Sequence, residues 1–217
     1  MPEKLIIFPF GGNARESLIT ISAINKIGVE WEIVGFIDDD SSSWGKECCG
    51  VKVLGGKEVL KNVEEASILA IPGNPDNYLK RKDIIKRLDI DNSRFATIIH
   101  PSVSVSNDSS IGYNTIIMPN VIISCGVKIG KHCIILPNSV VAHDSIIGDY
   151  CCIGSNVTIS GNVTIGTRCY IGSGTSIRDS IKIDGKTLVG IGSNVVSDIT
   201  ESVVVAGNPA KIVRKVL

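Results

Sequence analysis

Ile99-His100-Pro101-Ser102-Val103-Ser104-Val105-Ser106-Asn107-Asp108-Ser109-Ser110-Ile111 opens the stretch whose reading decides the fold. Steps of six from Ile99 land on Val105, Ile111, Ile117, Ile123, Ile129, Ile135, Val141, Ile147, Ile153, Ile159, Ile165, Ile171, Ile177, Ile183, Val189 and Val195. Each of these positions is Ile or Val, with no insertion. An α-helix repeats at 3.6 residues and a half-buried strand at 2. A repeat of six β-branched residues is the period of a parallel β-helix, in which each hexad is one short strand and a corner.

The other columns of the hexad agree. Glycine follows the Ile/Val position at 112, 130, 148, 154, 166, 172 and 190. The fifth position is small or β-branched, as in Ser109, Thr115, Val121, Val127, Cys133, Ser139, Ser145, Cys151, Val157, Val163, Cys169 and Thr175. The fourth holds Asp108, Asn114, Asn120, Gly126, Asn138, Asp144, Asn156, Asn162, Gly174 and Gly192, residue types that tolerate the left-handed backbone of a corner. Three hexads make a triangular coil of 18 residues, and residues 18 apart stack at about 4.8 Å, the spacing of paired strands. Cys133, Cys151 and Cys169 share one such column and read as core fillers.

Ahead of the hexads lies a different pattern. Leu5–Phe10 reads as a buried strand, Gly11-Gly12-Asn13-Ala14 as a tight turn, and Arg15–Ile27 as a helix with Leu18, Ile21, Ala23, Ile24 and Ile27 on one stripe. Trp31–Ile37 is a second strand ending in Asp38-Asp39-Asp40, and 41–50 reads as loop. Val51–Leu54 reads as a short extended piece and Lys57–Val63 as helical. Ala66–Ile71 is a third strand ending in Pro72-Gly73-Asn74, and Pro75–Leu88 is expected to be a helix. Alternating β and α elements imply a small parallel sheet with helices on its faces. Ligands bind such sheets at the carboxyl ends of the strands. A glycine turn at a helix start presents backbone N–H groups to a phosphate. The GxGxxG spacing of a dinucleotide fold is absent, and 1–98 has room for half of one. The expected division is therefore a βαβ domain over 1–98 and a β-helix over 99–217.

Composition excludes several classes. The chain has 217 residues, 43% apolar and only 5% aromatic, which suits a thin interior of Ile and Val. Lys+Arg and Asp+Glu are both 22, with no basic cluster that would mark nucleic-acid binding. The apolar run of the N-terminus is too short for a signal peptide, and no run approaches the roughly 18 residues of a membrane helix. Seven cysteines without CxxC or mixed Cys/His spacing read as reduced thiols of a cytoplasmic protein without a metal site.

These repeats resemble the left-handed β-helix hexapeptide-repeat acyltransferases. Val205-Ala206-Gly207-Asn208-Pro209-Ala210-Lys211 is similar to the closing segment of bacterial members, which lies near bound acetyl-CoA. With the βαβ domain in front, the chain resembles the PglD/NeuD type, the sialic acid O-acetyltransferases and nucleotide-aminosugar N-acetyltransferases. The resemblance implies that the N-terminal domain holds a sugar nucleotide, the coils bind acetyl-CoA, and three chains form a homotrimer with active sites between neighbouring coils. It implies acetyl transfer to an amino sugar on a nucleotide, with O-acetylation of a sugar as the alternative and a non-catalytic trimeric scaffold as a second.

The string Asn138-Ser139-Val140-Val141-Ala142-His143-Asp144-Ser145-Ile146-Ile147-Gly148-Asp149-Tyr150 resembles the family's catalytic segment. It makes His143 the general base, with Asp144 raising its basicity. A histidine suits proton removal near neutral pH, and a carboxylate stabilises the imidazolium that forms. Gly161, one coil on, matches the oxyanion segment. Gly12, Asn13, Asp38, Asp39 and Gly73 are the expected acceptor-binding residues, and Cys152, Ser173, Ile191, Pro209 and Lys211 the expected acetyl-CoA contacts. Two positions depart from the pattern: Cys152 stands where members can carry a second histidine, and Asn13 where a GxGGH turn has its histidine. His100, before Pro101, reads as structural, and His132 as an exposed corner residue.

Overall fold

The computed structural model describes residues 1–216. Its first part is a three-stranded parallel sheet in the order β2-β1-β5, from β1 (Glu3–Phe8), β2 (Trp31–Phe36) and β5 (Ser67–Ala70). Helix α1 (Gly12–Ile27) follows β1 directly and begins three residues before the sequence expectation. It buries Leu18, Ile21 and Ile24 against Leu5, Ile7 and Leu69 of the sheet.

Three local expectations are corrected. The loop over 41–50 contains a hairpin of β3 (Glu47–Cys48) with β4 (Val51–Lys52). Cys49 and Gly50 turn it with φ of 52° and 79°, and a cysteine at a left-handed position carries no sequence signal. The helix expected over Lys57–Val63 is a 3-10 segment, Lys57–Lys61. The helix expected over Pro75–Leu88 is shorter: a 3-10 turn, Tyr78–Lys80, runs into α2 (Arg81–Lys86). The Asn74 carboxamide accepts from the backbone N–H of Asp76 and Asn77 at 2.9 Å, and that local turn displaces the first helical turn.

From Ile98 the chain winds into a parallel β-helix whose two-residue strands pair at an offset of 18, as in Ile122↔Val140 and Ile134↔Cys152. Its three faces carry eight, six and five strands. The first face includes Ile134–Ile135 and Cys152–Ile153, the second Val140–Val141 and Thr158–Ile159, and the third Ile146–Ile147 and Thr164–Ile165. Val203–Ala206 continues the first face, and Lys211–Lys215 closes it antiparallel. From Asn114 to Gly192 every sixth residue has φ between 52° and 71°, including His132, Tyr150 and Arg168, whose side chains ordinarily avoid this region.

The coil interior is dry and well satisfied. Ile117, Ile135, Val141, Ile153, Ile159, Ile171 and Val189 are fully buried, with Cys133, Cys151 and Cys169 stacked among them. Buried hydroxyls close the corners: Ser139 Oγ donates to the Gly154 carbonyl at 2.7 Å and accepts from Val157 N–H at 3.1 Å. Ser145 repeats this with Ser160 and Val163 one face on. Each hydroxyl thereby satisfies a backbone group that the strand ladder leaves open.

The two parts share a buried junction on the first face and the corner before it. The Asn114 carboxamide accepts from Ala70 N–H at 2.8 Å and donates to Ala70 C=O at 2.7 Å, which binds the end of β5 to the coil. Its Nδ2 also lies 2.7 Å from His132 Nδ1. His132 is not an exposed corner residue: it is 3% exposed, stacked on Tyr150 at 4.5 Å and edge-on to Phe95 and Tyr113. The bulky residues of this corner column are there because the N-terminal domain covers them.

Burial, reinforced by Arg81 and Lys131, holds the His132 imidazole down at about 4, so it is neutral in the folded protein at pH 7. Unfolding frees it to take a proton below its ordinary value of about 6.5. Folding stability is therefore expected to fall as pH drops from 6.5 towards 4, by about 1–2 kcal/mol at pH 5. Denaturant titrations at pH 7 and pH 5 check this. His132→Asn, which tolerates the left-handed corner, is expected to lose less on acidification than the wild type.

Candidate active site

His143 and Asp144 occupy the corner between the second and third faces, after Val140–Val141 and before Ile146–Ile147. Asp144 takes the left-handed corner conformation, φ 59°, which turns its side chain back along the coil. Its Oδ2 lies 2.9 Å from His143 Nδ1. A carboxylate at Nδ1 orients the ring, assigns the proton to that nitrogen and leaves Nε2 with the free lone pair. The pair is 53% and 61% exposed, so solvent weakens its attraction, while the contact holds the orientation of the ring.

Glycines on the coils before and after make room for the pair. At Gly126 a Cβ would come within 2.6 Å of Asp144 Oδ1. At Gly161 a Cβ would come within 2.5 Å of His143 Cε1 and Nε2. The bare Gly161 backbone thus lies against the edge of the ring that carries the free nitrogen. Asn162 N–H donates to the His143 carbonyl and Ser180 N–H to the Gly161 carbonyl, both at 2.9 Å. The Gly161 N–H has no acceptor among the described residues. A base with an unused N–H donor beside it is the pair of groups that attack on a carbonyl requires.

The expected acceptor-binding residues gather at the carboxyl ends of the three strands. The start of α1 has no side-chain cap, and the N–H groups of Gly12, Asn13 and Ala14 have no acceptor among the described residues. Asn13 Nδ2 donates to the Gly73 carbonyl at 2.8 Å, which ties the first strand end to the third. A carbonyl can only accept, so the Asn13 nitrogen is committed there, and its Oδ1 takes no hydrogen bond among the described residues. The two aspartates divide. Asp38 takes Phe10 N–H on one oxygen and Asp40 N–H on the other, both at 2.8 Å, and acts as a clasp between strand ends. Asp39 is exposed and makes no hydrogen bond among the described residues.

Ser173 and Ile191 stack 18 residues apart on the corner between the first and second faces, both exposed. The closing segment docks beside them: Asn194 N–H donates to the Gly207 carbonyl and Ala210 N–H to the Asn194 carbonyl. This leaves Pro209 and Lys211 exposed. These four residues therefore share one edge of the prism, and His143 occupies the next edge, across the second face.

Cys152 lies apart from both. It is 5% exposed on the first face, beneath the N-terminal domain, with its Sγ 2.8 Å from a guanidinium nitrogen of Arg81. It borders an interdomain cleft of about 20 Å³ with Asn13, Gly73 and Tyr170, a space that takes about one water. Cys152, expected at acetyl-CoA, here packs into the junction against Arg81. Arg81, which holds it there, gave no signal in the sequence, where it is one residue of the helix expected over Pro75–Leu88. His100 is held locally, its Nδ1 accepting from Ser102 N–H at 3.0 Å. Among the described residues no group of His, Cys, Asp and Glu has metal-binding geometry, and no helix is long and apolar enough to cross a membrane.

Comparison with known proteins agrees with this fold. The family model described as the GMPPB C-terminal domain matches residues 94–189, within the coil. No curated protein sequence matches the chain. Among solved structures, a histidine-to-asparagine variant of perosamine N-acetyltransferase from Caulobacter crescentus, in complex with CoA and GDP-perosamine, superposes with a TM-score of 0.84 at 27% identity, covering 98% of this chain and 97% of that one. The acetyltransferase domain of PglB from Neisseria gonorrhoeae, in complex with acetyl coenzyme A, gives 0.83 at 26% identity, covering 98% and 100%. WeeI from Acinetobacter baumannii, at 24% identity and a TM-score of 0.79 over 98% and 100%, shares the fold. The resemblance to the PglD/NeuD type of hexapeptide-repeat acetyltransferase therefore extends over the whole chain.

Gly161→Ala tests the contact at the base. The added methyl has to displace the imidazole, and kcat/KM for acetyl transfer is expected to fall by about 10²–10⁴, the scale of losing general base catalysis. Far-UV circular dichroism is expected to stay unchanged, since a methyl at this corner meets the His143 ring and not the coil core.

Proposed function

We propose that this chain transfers the acetyl group of acetyl-CoA to the amino group of a nucleotide-linked amino sugar, with His143 as general base. The observation that carries the reading is the His143–Asp144 contact of 2.9 Å with the bare Gly161 backbone against Nε2. The amine lone pair attacks the thioester carbonyl, and Nε2 takes a proton from the amine nitrogen as its N–C bond forms. The carbonyl oxygen gains negative charge and accepts from the Gly161 N–H. The C–S bond then breaks, the carbonyl re-forms, and the departing CoA sulfur receives the proton held by the imidazolium. Asp144 stabilises the imidazolium in between. No covalent acyl-enzyme is needed, so no cysteine enters the reaction.

The acceptor class follows from the N-terminal domain and the relatives. The uncapped start of α1 suits a diphosphate. Asp39 offers a free carboxylate to ribose hydroxyls or base N–H groups, and Asn13 Oδ1 an acceptor to a sugar hydroxyl or amine. The perosamine N-acetyltransferase of Caulobacter crescentus binds GDP-perosamine and CoA, and its variants replace a histidine. Nitrogen rather than oxygen is the atom we assign as nucleophile. We further propose a homotrimer. His143 stands on an open corner, and the expected acetyl-CoA residues lie on another edge of the same prism. A neighbouring coil packed against that corner supplies the missing wall. We place the enzyme in the cytoplasm, making an acetylated sugar nucleotide for polysaccharide assembly.

The test is CoA thiol release from acetyl-CoA against GDP- and UDP-linked amino sugars, with sialic acids as hydroxyl acceptors. His143→Ala is expected to lower kcat by about 10²–10⁴ on the best acceptor, the range of general base catalysis, while acetyl-CoA still binds. Full activity of the variant removes the base assignment. Preference for a sialic acid removes the amine assignment, and no CoA release with any acceptor removes the enzyme reading. Sedimentation equilibrium reads the trimer.

A further inference from the structure

Arg81 opens α2 and is the largest fully buried side chain of the protein, with none of it exposed. Its Nη1 donates to the Pro72 carbonyl at 2.6 Å and to Cys152 Sγ at 2.8 Å, and its Nη2 to the His132 carbonyl. Its Nε–H has no partner among the described residues. Among the described residues no carboxylate pairs with it. A guanidinium does not lose its proton in a protein, so a full charge is held on two carbonyl dipoles and a thiol. Burying a charge this way opposes folding, and its best-attested use is to fix one packing against its alternatives.

The three acceptors show what is being fixed. His132 and Cys152 belong to the coil, whereas Pro72 ends the third strand of the sheet domain. Gly73 follows Pro72, and a Cβ on it would meet Arg81 Nη1 at 2.5 Å and Cys152 Sγ at 2.9 Å. The Gly73 carbonyl in turn receives the Asn13 carboxamide. One connected path thus runs from coil to guanidinium to Pro72-Gly73 to Asn13 at the start of α1. The space at 152 is equally constrained. A side chain larger than a thiol, at that distance from Nη1, would occupy the volume of the guanidinium.

We propose that Arg81 is a positioning residue that sets the acceptor-binding strand ends at a fixed height on the coil, and that Cys152 is the small residue that admits it. Arg81 is wholly buried, so it acts through Pro72, Gly73 and Asn13 and not on the substrate. This inference rests on the acceptor site assigned above. Its expected signature is a defect confined to the nucleotide-sugar acceptor, because the acetyl-CoA residues on the far edge and the His143 corner do not depend on the path.

Steady-state kinetics of Arg81→Met, Arg81→Lys, Cys152→His and the double variant Arg81→Met/Cys152→His test it, each as full-length protein. Arg81→Met and Cys152→His are each expected to raise the acceptor KM about tenfold, with the acetyl-CoA KM held within about twofold. Arg81→Lys is expected to recover part of the loss. The double variant is expected to be no worse than the poorer single one, since both break the same contact. Hydrogen exchange gives a readout independent of activity: the buried backbone amides at 70 and 71, which donate to Asn114 Oδ1 and to the Phe8 carbonyl, are expected to exchange faster in both single variants. Unchanged exchange overturns the proposal whether or not any acceptor reacts. So do two KM values that rise together, additive losses in the double variant, or lowered thermal stability with wild-type KM values. Absence of transfer by the wild type, with faster exchange in the variants, instead removes the acceptor reading and leaves the positioning contact standing.

Discussion

Strand pairing at an offset of 18 residues is the constraint on which the rest of this structure depends. Parallel strands sit about 4.8 Å apart, so every residue of one coil lies directly over its counterpart in the next. The stack tolerates no drift, because a slip of one residue would turn the Ile/Val ladder outward and expose the core. It also dictates where glycine is required. Gly161 lies beneath the His143 ring and Gly126 against the Asp144 carboxylate because stacked corners bring backbone against side chain. The site is therefore built by register: a protruding residue at one level is matched by an absent side chain at a neighbouring level.

The junction follows a different logic. Ile116, Met118 and Ile134 of the coil share a buried apolar cluster with the sheet domain, and buried polar contacts are set into it: the Asn114 carboxamide on the backbone of Ala70, the neutral His132 stacked on Tyr150, and Arg81 reaching from α2 to Pro72, His132 and Cys152. A purely apolar interface could slide by several ångströms at small cost, since dispersion and hydrophobic burial are not directional. Hydrogen bonds to single backbone groups lose their energy within a fraction of that distance. Polar bonding at the seam thus holds the two layers in one arrangement, with strand ends and coil at a set distance.

Within the small domain, side chains that look alike in sequence take unlike tasks. Asp38 and Asp39 are adjacent carboxylates, yet Asp38 has both oxygens on backbone N–H groups and Asp39 has neither. Alternation along an extended chain points neighbours in opposite directions, one into the turn between strand ends and one out to solvent. Asn13 is likewise half committed, its nitrogen held by Gly73. The expectations that failed nearby share a cause. The Cys49-Gly50 hairpin and the short α2 were decided by local backbone and side-chain hydrogen bonds that single-residue preferences do not report.

The sequence by itself determined the coil, because a period of six in β-branched residues has one structural solution. Through the same period it determined that Gly161 falls one coil from His143 and that three cysteines share a core column. With the resemblance of the His143 segment and the Val205–Lys211 tail, it also supplied the chemistry. It was silent on everything that depends on one layer covering another. His132 reads as an exposed corner and Arg81 as one residue of an expected helix, and Cys152 resembles a ligand contact. All three are buried, because the sheet domain docks on the first face and on the corner before it. Periodicity encodes which residues of one element share a side. Which sides meet is settled by the shapes and hydrogen-bonding groups of two elements distant in the chain, and only the tertiary structure brings those together.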